Sequence, residues 1–273
     1  MTTLPRLGAA LKHDAFALLQ TWMRDHDRAL EIQDFVTFQA IVHDREALLS
    51  AYKPLLDGYH GPVGIHGPFL GLDISNPDPE LRAIITQRLL QGLEVAESLS
   101  GTHMVVHSPF TFWHRLNDQN YEWLRQSLFE ASLECLAPVV NRARDIGCVL
   151  MLENIDDADP FMRVDLVREV GSDHLKTSID TGHAQLANGQ YKAPPVTDFI
   201  AAAGDTLGHV HLQDADGYAD RHWHPGEGTL PWPAIFDAIA RTGANPRLLI
   251  EPRDREHLLP QTVALLEARQ IAC

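Results

Sequence analysis

Short apolar runs alternate with longer amphipathic stretches along most of the chain. RLGAAL (6–11), ALEIQ (29–33), PVGIH (62–66), THMVVH (102–107), CVLMLE (148–153), LKTSID (175–180), HVHLQ (209–213) and RLLIE (247–251) have the length and residue types of strands. Between them, stretches such as PELRAIITQRLLQGLEVAESL (79–99) and YEWLRQSLFEASLECLAPVVNRARD (121–145) repeat apolar residues at three- and four-residue spacing, which predicts helices. Asp78-Pro79 reads as an N-cap followed by a first-turn proline, and Gly147 as a C-terminal stop.

Eight strands, each followed by a helix-like stretch, predict a parallel sheet. In this length they suit an α/β fold of the (β/α)8 TIM-barrel type. A doubly wound sheet is the competing architecture. It loses support because no glycine-rich phosphate fingerprint follows the first strand. The chain has 273 residues, 45% of them hydrophobic, enough to bury one large core. No linker or low-complexity segment interrupts it, so residues 1–273 read as a single domain. Pro194-Pro195 and residues 214–228 read as loops within that domain.

Composition narrows the setting. No apolar run approaches the length of about 18 residues that a membrane span requires. The opening MTTLPRLGAALKHDAF has neither the basic start nor the long apolar centre of a signal peptide. Cys135, Cys148 and Cys273 are odd in number and far apart, which fits free thiols in a reducing cytoplasm. The formal net charge of −15 repels phosphate backbones and weighs against a nucleic-acid partner, although a local basic loop can act against the global field. A homo-oligomer is left open.

The candidate chemistry lies at the strand ends. His66, His107, Glu153, Asp180, His211 and Glu251 stand at or just past the last apolar residue of the third to eighth strands. In a barrel those ends converge on one mouth. A lone strand-end histidine is usually only hydrogen-bonded at the surface. Six such residues in succession, with the glutamates Glu153 and Glu251 at the margin of buried strands, point instead to a cation. Asp180 and His183 are three apart across a glycine, so a turn can aim both inward. Asp220 and His222 in DRHWH are two apart, so an extended backbone would put both on one face with Arg221 opposite. His209 shares a face with His211 one layer deeper and reads as a core or supporting histidine, and His224 as a loop residue beside Pro225. Imidazole and carboxylate donors without thiolate favour zinc, manganese or a similar divalent ion.

These residues, with Asp180-Thr181-Gly182-His183, His211-Leu212-Gln213-Asp214, and Asp220-Arg221-His222 ahead of Pro-Gly-Glu-Gly, resemble the xylose isomerase-like TIM-barrel superfamily. The resemblance runs from about residue 4 to 269. That superfamily joins sugar isomerases and epimerases with the endonuclease IV enzymes of abasic-site repair. The epimerase branch implies one divalent metal on Glu153, Asp180, His211 and Glu251. The endonuclease branch implies three zinc ions on nine ligands, with His66, His107, His183, Asp220 and His222 completing the set. The resemblance therefore implies one to three ions. Two departures separate the chain from the ketose 3-epimerases: ENIDDAD lacks the Asn and Arg that follow their first metal Glu, and Gly217 stands where they carry a substrate-binding arginine. Against the endonuclease branch, HGPFLGLDISNPDPE after the third strand contains no Lys or Arg.

The resemblance implies a metal-dependent isomerase or epimerase of a sugar, sugar phosphate or related polyol, working by metal-stabilised enediolate proton transfer. Glu153 and Glu251 would move the proton. Glu31, Phe69, Phe110, Trp113, His183, Arg221 and Arg253 are the candidate substrate contacts; for Trp113, plain packing of its loop is an equal alternative. Zinc-dependent hydrolysis of phosphodiesters at abasic sites is the alternative activity, and a binding module that keeps only the barrel is a third reading.

Overall fold

Eight parallel strands close into a barrel in simple sequential order, with β1 pairing β8. They are β1 (Gly8–Leu11), β2 (Leu30–Ile32), β3 (Val63–His66), β4 (His103–His107), β5 (Val149–Glu153), β6 (Leu175–Asp180), β7 (Leu207–Leu212) and β8 (Arg247–Ile250). Each apolar run of the sequence forms one of them, with ends shifted by at most two residues. The computed structural model describes residues 4–273. Among these, no helix is long and apolar enough to cross a membrane.

Helices pack outside the barrel as the spacing predicts. Pro79–Ser98 starts where Asp78 accepts a hydrogen bond from the Glu80 amide at 2.8 Å, with the proline in the first turn where its missing N–H costs nothing. Glu122–Asp145 runs 24 residues and ends just before Gly147. Strand residues such as Ile32, Ile65, Leu150 and Val210 are fully buried and join the inward faces of the helices in one apolar core. That layer fixes the strands, and through them the positions of the strand ends.

The barrel interior is polar over much of its height. Glu31, His103, Ser178 and His209 are completely buried there. Gly64 on β3 makes this arrangement possible, because a Cβ at that position would lie 2.0 Å from the His103 ring.

Residues 214–228 are irregular, as expected, but they are not a solvated loop throughout. Asp214 and Trp223 exchange backbone hydrogen bonds at 2.8 and 3.1 Å. The Asp214 carboxylate then accepts from the amides of Ala215 (2.9 Å), Gly226 (2.8 Å) and Leu230 (3.1 Å) and from the Trp232 indole (2.8 Å). The Pro-Gly-Glu-Gly element is therefore tied down by a buried acid. His224 lies in this loop, as expected, and is buried there, with Nδ1 2.8 Å from the Thr262 hydroxyl.

Candidate metal centre

Glu153, Asp180, His211 and Glu251 each present one donor atom within 4.8 Å of the others. Parallel closure explains this: Asp180 pairs in register with His211, and Glu251 follows β8 directly, its amide bonded to the Leu212 carbonyl at 3.3 Å. His211 Nδ1 faces both glutamates. It hydrogen-bonds Glu153 Oε1 and lies 3.4 Å from Glu251 Oε2. Among the described residues, no Lys or Arg pairs with Glu153, Asp180 or Glu251. Three carboxylates gathered at the margin of a buried core around one imidazole form a donor set that fits a divalent cation.

Two further groups adjoin this one: His66, His107 and Glu153, and His183, Asp220 and His222. His66 and His107 bring their Nε2 atoms to 3.2 Å from each other, and both lie near Glu153 Oε2, at 3.7 and 3.5 Å. Asp220 Oδ1 lies 3.4 Å from His183 Nε2 and 3.1 Å from His222 Nε2. All nine candidate ligands of the sequence thus meet at one mouth.

Ring orientation is set by the main chain. His66 Nδ1 is 2.9 Å from the Gly67 carbonyl, His183 Nδ1 3.0 Å from that of Asn154, and His222 Nδ1 3.1 Å from that of Glu251. A carbonyl only accepts, so in each ring Nδ1 carries the proton in the neutral state. The Nε2 lone pair is left facing the mouth. That is the arrangement by which a metal-binding histidine is held in one tautomer.

Asp220 and His222 face each other as their two-residue spacing suggests, although His222 itself lies in the left-handed region, with φ +49°. Arg221 is thrown outward, where Nε and Nη2 bond Asp216 at 3.1 and 2.8 Å.

Three amides organise the ligands and carry no periodic signal in the sequence. Asn154 accepts from the Asp180 amide at 2.8 Å and donates to its carbonyl at 3.0 Å. Gln213 Nε2 bridges Asp180 Oδ1 (3.1 Å) and Asp220 Oδ1 (3.3 Å), while its Oε1 accepts from the His222 amide at 2.8 Å. Gln33 Nε2 donates at 3.0 Å to both Glu31 Oε1 and Glu251 Oε1. The signal available beforehand was adjacency: Asn154 follows a ligand, and Gln213 lies two residues beyond His211.

The charges respond to this crowding. Burial alone would depress His183, but Asp180 and Asp220 outweigh it and hold its imidazole well above the ordinary value. His222 follows the same balance, with Asp220 and Glu251 raising it to about 9 against burial. Burial works to raise Asp220, yet hydrogen bonds from His183 and His222 pull it far below the carboxylate range. His107 falls well below its usual value through burial and the neighbouring His66.

A cavity of about 500 Å³ opens above the ligands, lined among others by Lys12, Gln33, Phe69 and Arg253. Of the expected substrate contacts, Phe69 stacks on His107 with centroids 4.1 Å apart, and Arg253 reaches Asp220 Oδ2 at 3.2 Å. His183 lines the same cavity. Glu31 lies below it and is fully buried. Phe110 is buried against Phe129, and Trp113 is 45% exposed and stacked on Tyr121, both away from the cavity lining. Arg221 also lies outside that lining.

A (β/α)8 barrel whose successive strand ends gather carboxylates and imidazoles at one mouth defines the class of protein. The family described as xylose isomerase-like TIM barrel matches residues 27–269, and the chain belongs to it. Among its relatives, a D-psicose 3-epimerase of Enterocloster bolteae is 34% identical over 196 residues, 68% of this chain and 60% of that protein. A D-psicose 3-epimerase of Ruminiclostridium cellulolyticum is 26% identical over 197 residues, 68% of this chain and 61% of its own length. The chain therefore spans less than two thirds of these two relatives. The TTHB071 protein from Thermus thermophilus, in a structure soaked with ZnCl2, superposes with a TM-score of 0.73 at 26% identity, covering 96% of each chain.

Proposed function

We propose that the protein is a divalent-metal-dependent epimerase or isomerase of a small polyhydroxy carbonyl compound such as a ketose. The observation that carries this reading is the convergence of Glu153, Asp180, His211 and Glu251, the two glutamates lining a small cavity and flanking one donor nitrogen. Its support from outside the site is the likeness to D-psicose 3-epimerases.

Those four side chains would hold the ion. When bound, a divalent cation polarises a carbonyl and offsets negative charge developing on its oxygen. The remaining work falls to the chain. One of Glu153 and Glu251 removes the proton from the carbon beside the carbonyl, and the C–H electron pair shifts toward the carbonyl oxygen. Returning a proton to the opposite face from the other glutamate inverts that carbon, while delivery to the former carbonyl carbon, with the hydroxyl proton of the first carbon passing to the former carbonyl oxygen, isomerises the sugar. Gln33 holds Glu251 Oε1, leaving Oε2 as the freer oxygen. Phe69 supplies an apolar wall beside the histidines, which helps exclude water.

A second reading, metal-assisted phosphodiester hydrolysis, is favoured by one observation: the His66–His107–Glu153 and His183–Asp220–His222 groups adjoin the first, as a multi-ion site would require. The mouth opposes it. Of the Lys and Arg side chains on the cavity lining, Lys12 and Arg253, the second is already paired with Asp220, and the net charge of the chain is −15.

Metal analysis of purified protein with parallel assays on a ketose and inosose-like polyol panel and on abasic-site DNA separates the two. The expected result is metal-dependent epimerisation of at least one polyol. Metal-dependent cleavage of abasic DNA at protein-stoichiometric rates, without sugar turnover, overturns the proposal.

A further inference from the structure

His211 differs from three other histidines of the mouth. His66, His183 and His222 each spend Nδ1 on a main-chain carbonyl and point Nε2 inward. His211 is turned the other way, with Nδ1 toward Glu153 and Glu251 and Nε2 2.8 Å from Glu31 Oε1. A neutral imidazole that gives its Nδ1 lone pair to a cation must carry its proton on Nε2 and needs an acceptor there. Among the described residues, no carbonyl serves it. Glu31 does.

Glu31 is itself held in place from below. His103 Nε2 lies 2.9 Å from Glu31 Oε2, and the Arg247 guanidinium contacts His103 Nδ1. Arginine only donates, so His103 Nδ1 accepts and its proton sits on Nε2, aimed at Glu31. Gln33 donates to Oε1 at 3.0 Å. His209 Nε2 stands 3.2 Å from Oε2, outside hydrogen-bond geometry, with Ser178 at 2.8 Å from its Nδ1. Both oxygens of Glu31 are therefore engaged by side chains of the barrel interior, and neither is left for a substrate hydroxyl. Arg247 begins β8, at the end of the barrel opposite the mouth, so the column spans the barrel from one end to the other.

We infer that Glu31 is a positioning residue. By accepting the His211 Nε2 proton it fixes the tautomer that presents Nδ1 to the ion, and the Arg247–His103 pair fixes Glu31 in turn. This inference rests on the metal-dependent reading above. It replaces a substrate contact for Glu31 with a task one layer beneath the substrate.

The test is metal titration of chelator-stripped protein with Zn²⁺ and Mn²⁺, comparing wild type with the near-isosteric Glu31→Gln. The expected result is affinity weakened by about 10–100-fold, the range that loss of a carboxylate partner to a ligating histidine usually produces. In zinc-loaded wild type, nitrogen-resolved histidine spectra should show the proton of His211 on Nε2 and slow to exchange, and Glu31→Gln should lose that protection. Unchanged affinity together with an unchanged His211 signal overturns the inference. So does a raised KM at unchanged metal affinity, the signature of a substrate contact. Should Glu31→Gln fail to fold, Arg247→Met frees His103 from the far end of the barrel. A smaller loss of affinity in the same direction is then expected, and wild-type affinity counts against the inference. Wild-type protein that binds neither metal overturns the functional reading and this inference together, whereas tight wild-type binding with an unaffected Glu31→Gln overturns only this one.

Discussion

The side chain of Gln213 occupies the space that a Cβ on Gly182 would need: such an atom would stand 2.3 Å from the Gln213 carboxamide. From that position Gln213 holds Asp180, Asp220 and the His222 amide together. The glycine of the Asp-Thr-Gly-His segment thus serves the site by leaving room. Gly182→Ala should push Gln213 aside, destabilise the protein by about 1–3 kcal/mol as overpacking does, and weaken metal binding. Denaturant melts and metal titration of the variant check both. Wild-type values in both would show that the close approach has no consequence.

Glu251→Gln keeps the shape of the side chain while removing a proton acceptor and a ligand charge. Turnover of an accepted polyol should fall by at least about 100-fold, the usual contribution of a general acid–base group. Glu153→Gln should behave alike. Steady-state assays at saturating metal measure the loss, and a variant that turns over at the wild-type rate removes these glutamates from the chemistry.

In the metal-free protein, stability should fall as pH rises from about 6.5 to 9. Burial works against the His222 proton, but Asp220 and Glu251 retain it until about 9, against an ordinary value of 6.5. The folded state therefore binds more protons in this window. The stabilisation is complete below 6.5 and is lost as pH passes through 9, amounting to at most about 3 kcal/mol for this group. His183 contributes with the same sign. A cation competes for the same nitrogens, so metal affinity should rise over the same window. Adding metal at about 100 times its Kd should restore about 2.7 kcal/mol. Melting curves with chelator and with metal at both pH values test the crossing of the two trends; a metal-free protein more stable at pH 9 would contradict it.

Asp214 accepts four hydrogen bonds from three amides and one indole. Asp214→Ala leaves those donors without their shared acceptor and should cost about 3 kcal/mol or more, since bonds to a charged group are each worth about 1.5–3 kcal/mol. The loop carrying Asp220 and His222 begins at this residue. Hydrogen exchange should therefore rise from Asp216 to Gly228 before the rest of the barrel opens, and uniform exchange would refute a local staple.

The sequence by itself determined the barrel and which residues gather at its mouth. Pattern and length identified all eight strands, because each is a short, buried run that keeps apolar residues against the surrounding helices. Parallel closure then leaves strand-end residues such as His66, Glu153 and Asp180 nowhere else to point. What only the tertiary structure decided depends on contacts between distant segments. The sequence could not show which nitrogen each histidine turns inward, because a carbonyl or carboxylate elsewhere in the chain selects it: the Glu251 carbonyl for His222, Glu31 for His211. It placed Glu31 at the mouth with the substrate, whereas its position inside the barrel, under His211 and over His103, follows from register between strands. It also put Asp220 and His222 on one face with Arg221 opposite, as the structure has them, but carried no sign of the left-handed backbone at His222, whose φ is +49°. Local periodicity records which face a residue occupies. The partner waiting on that face is set by closure of the barrel.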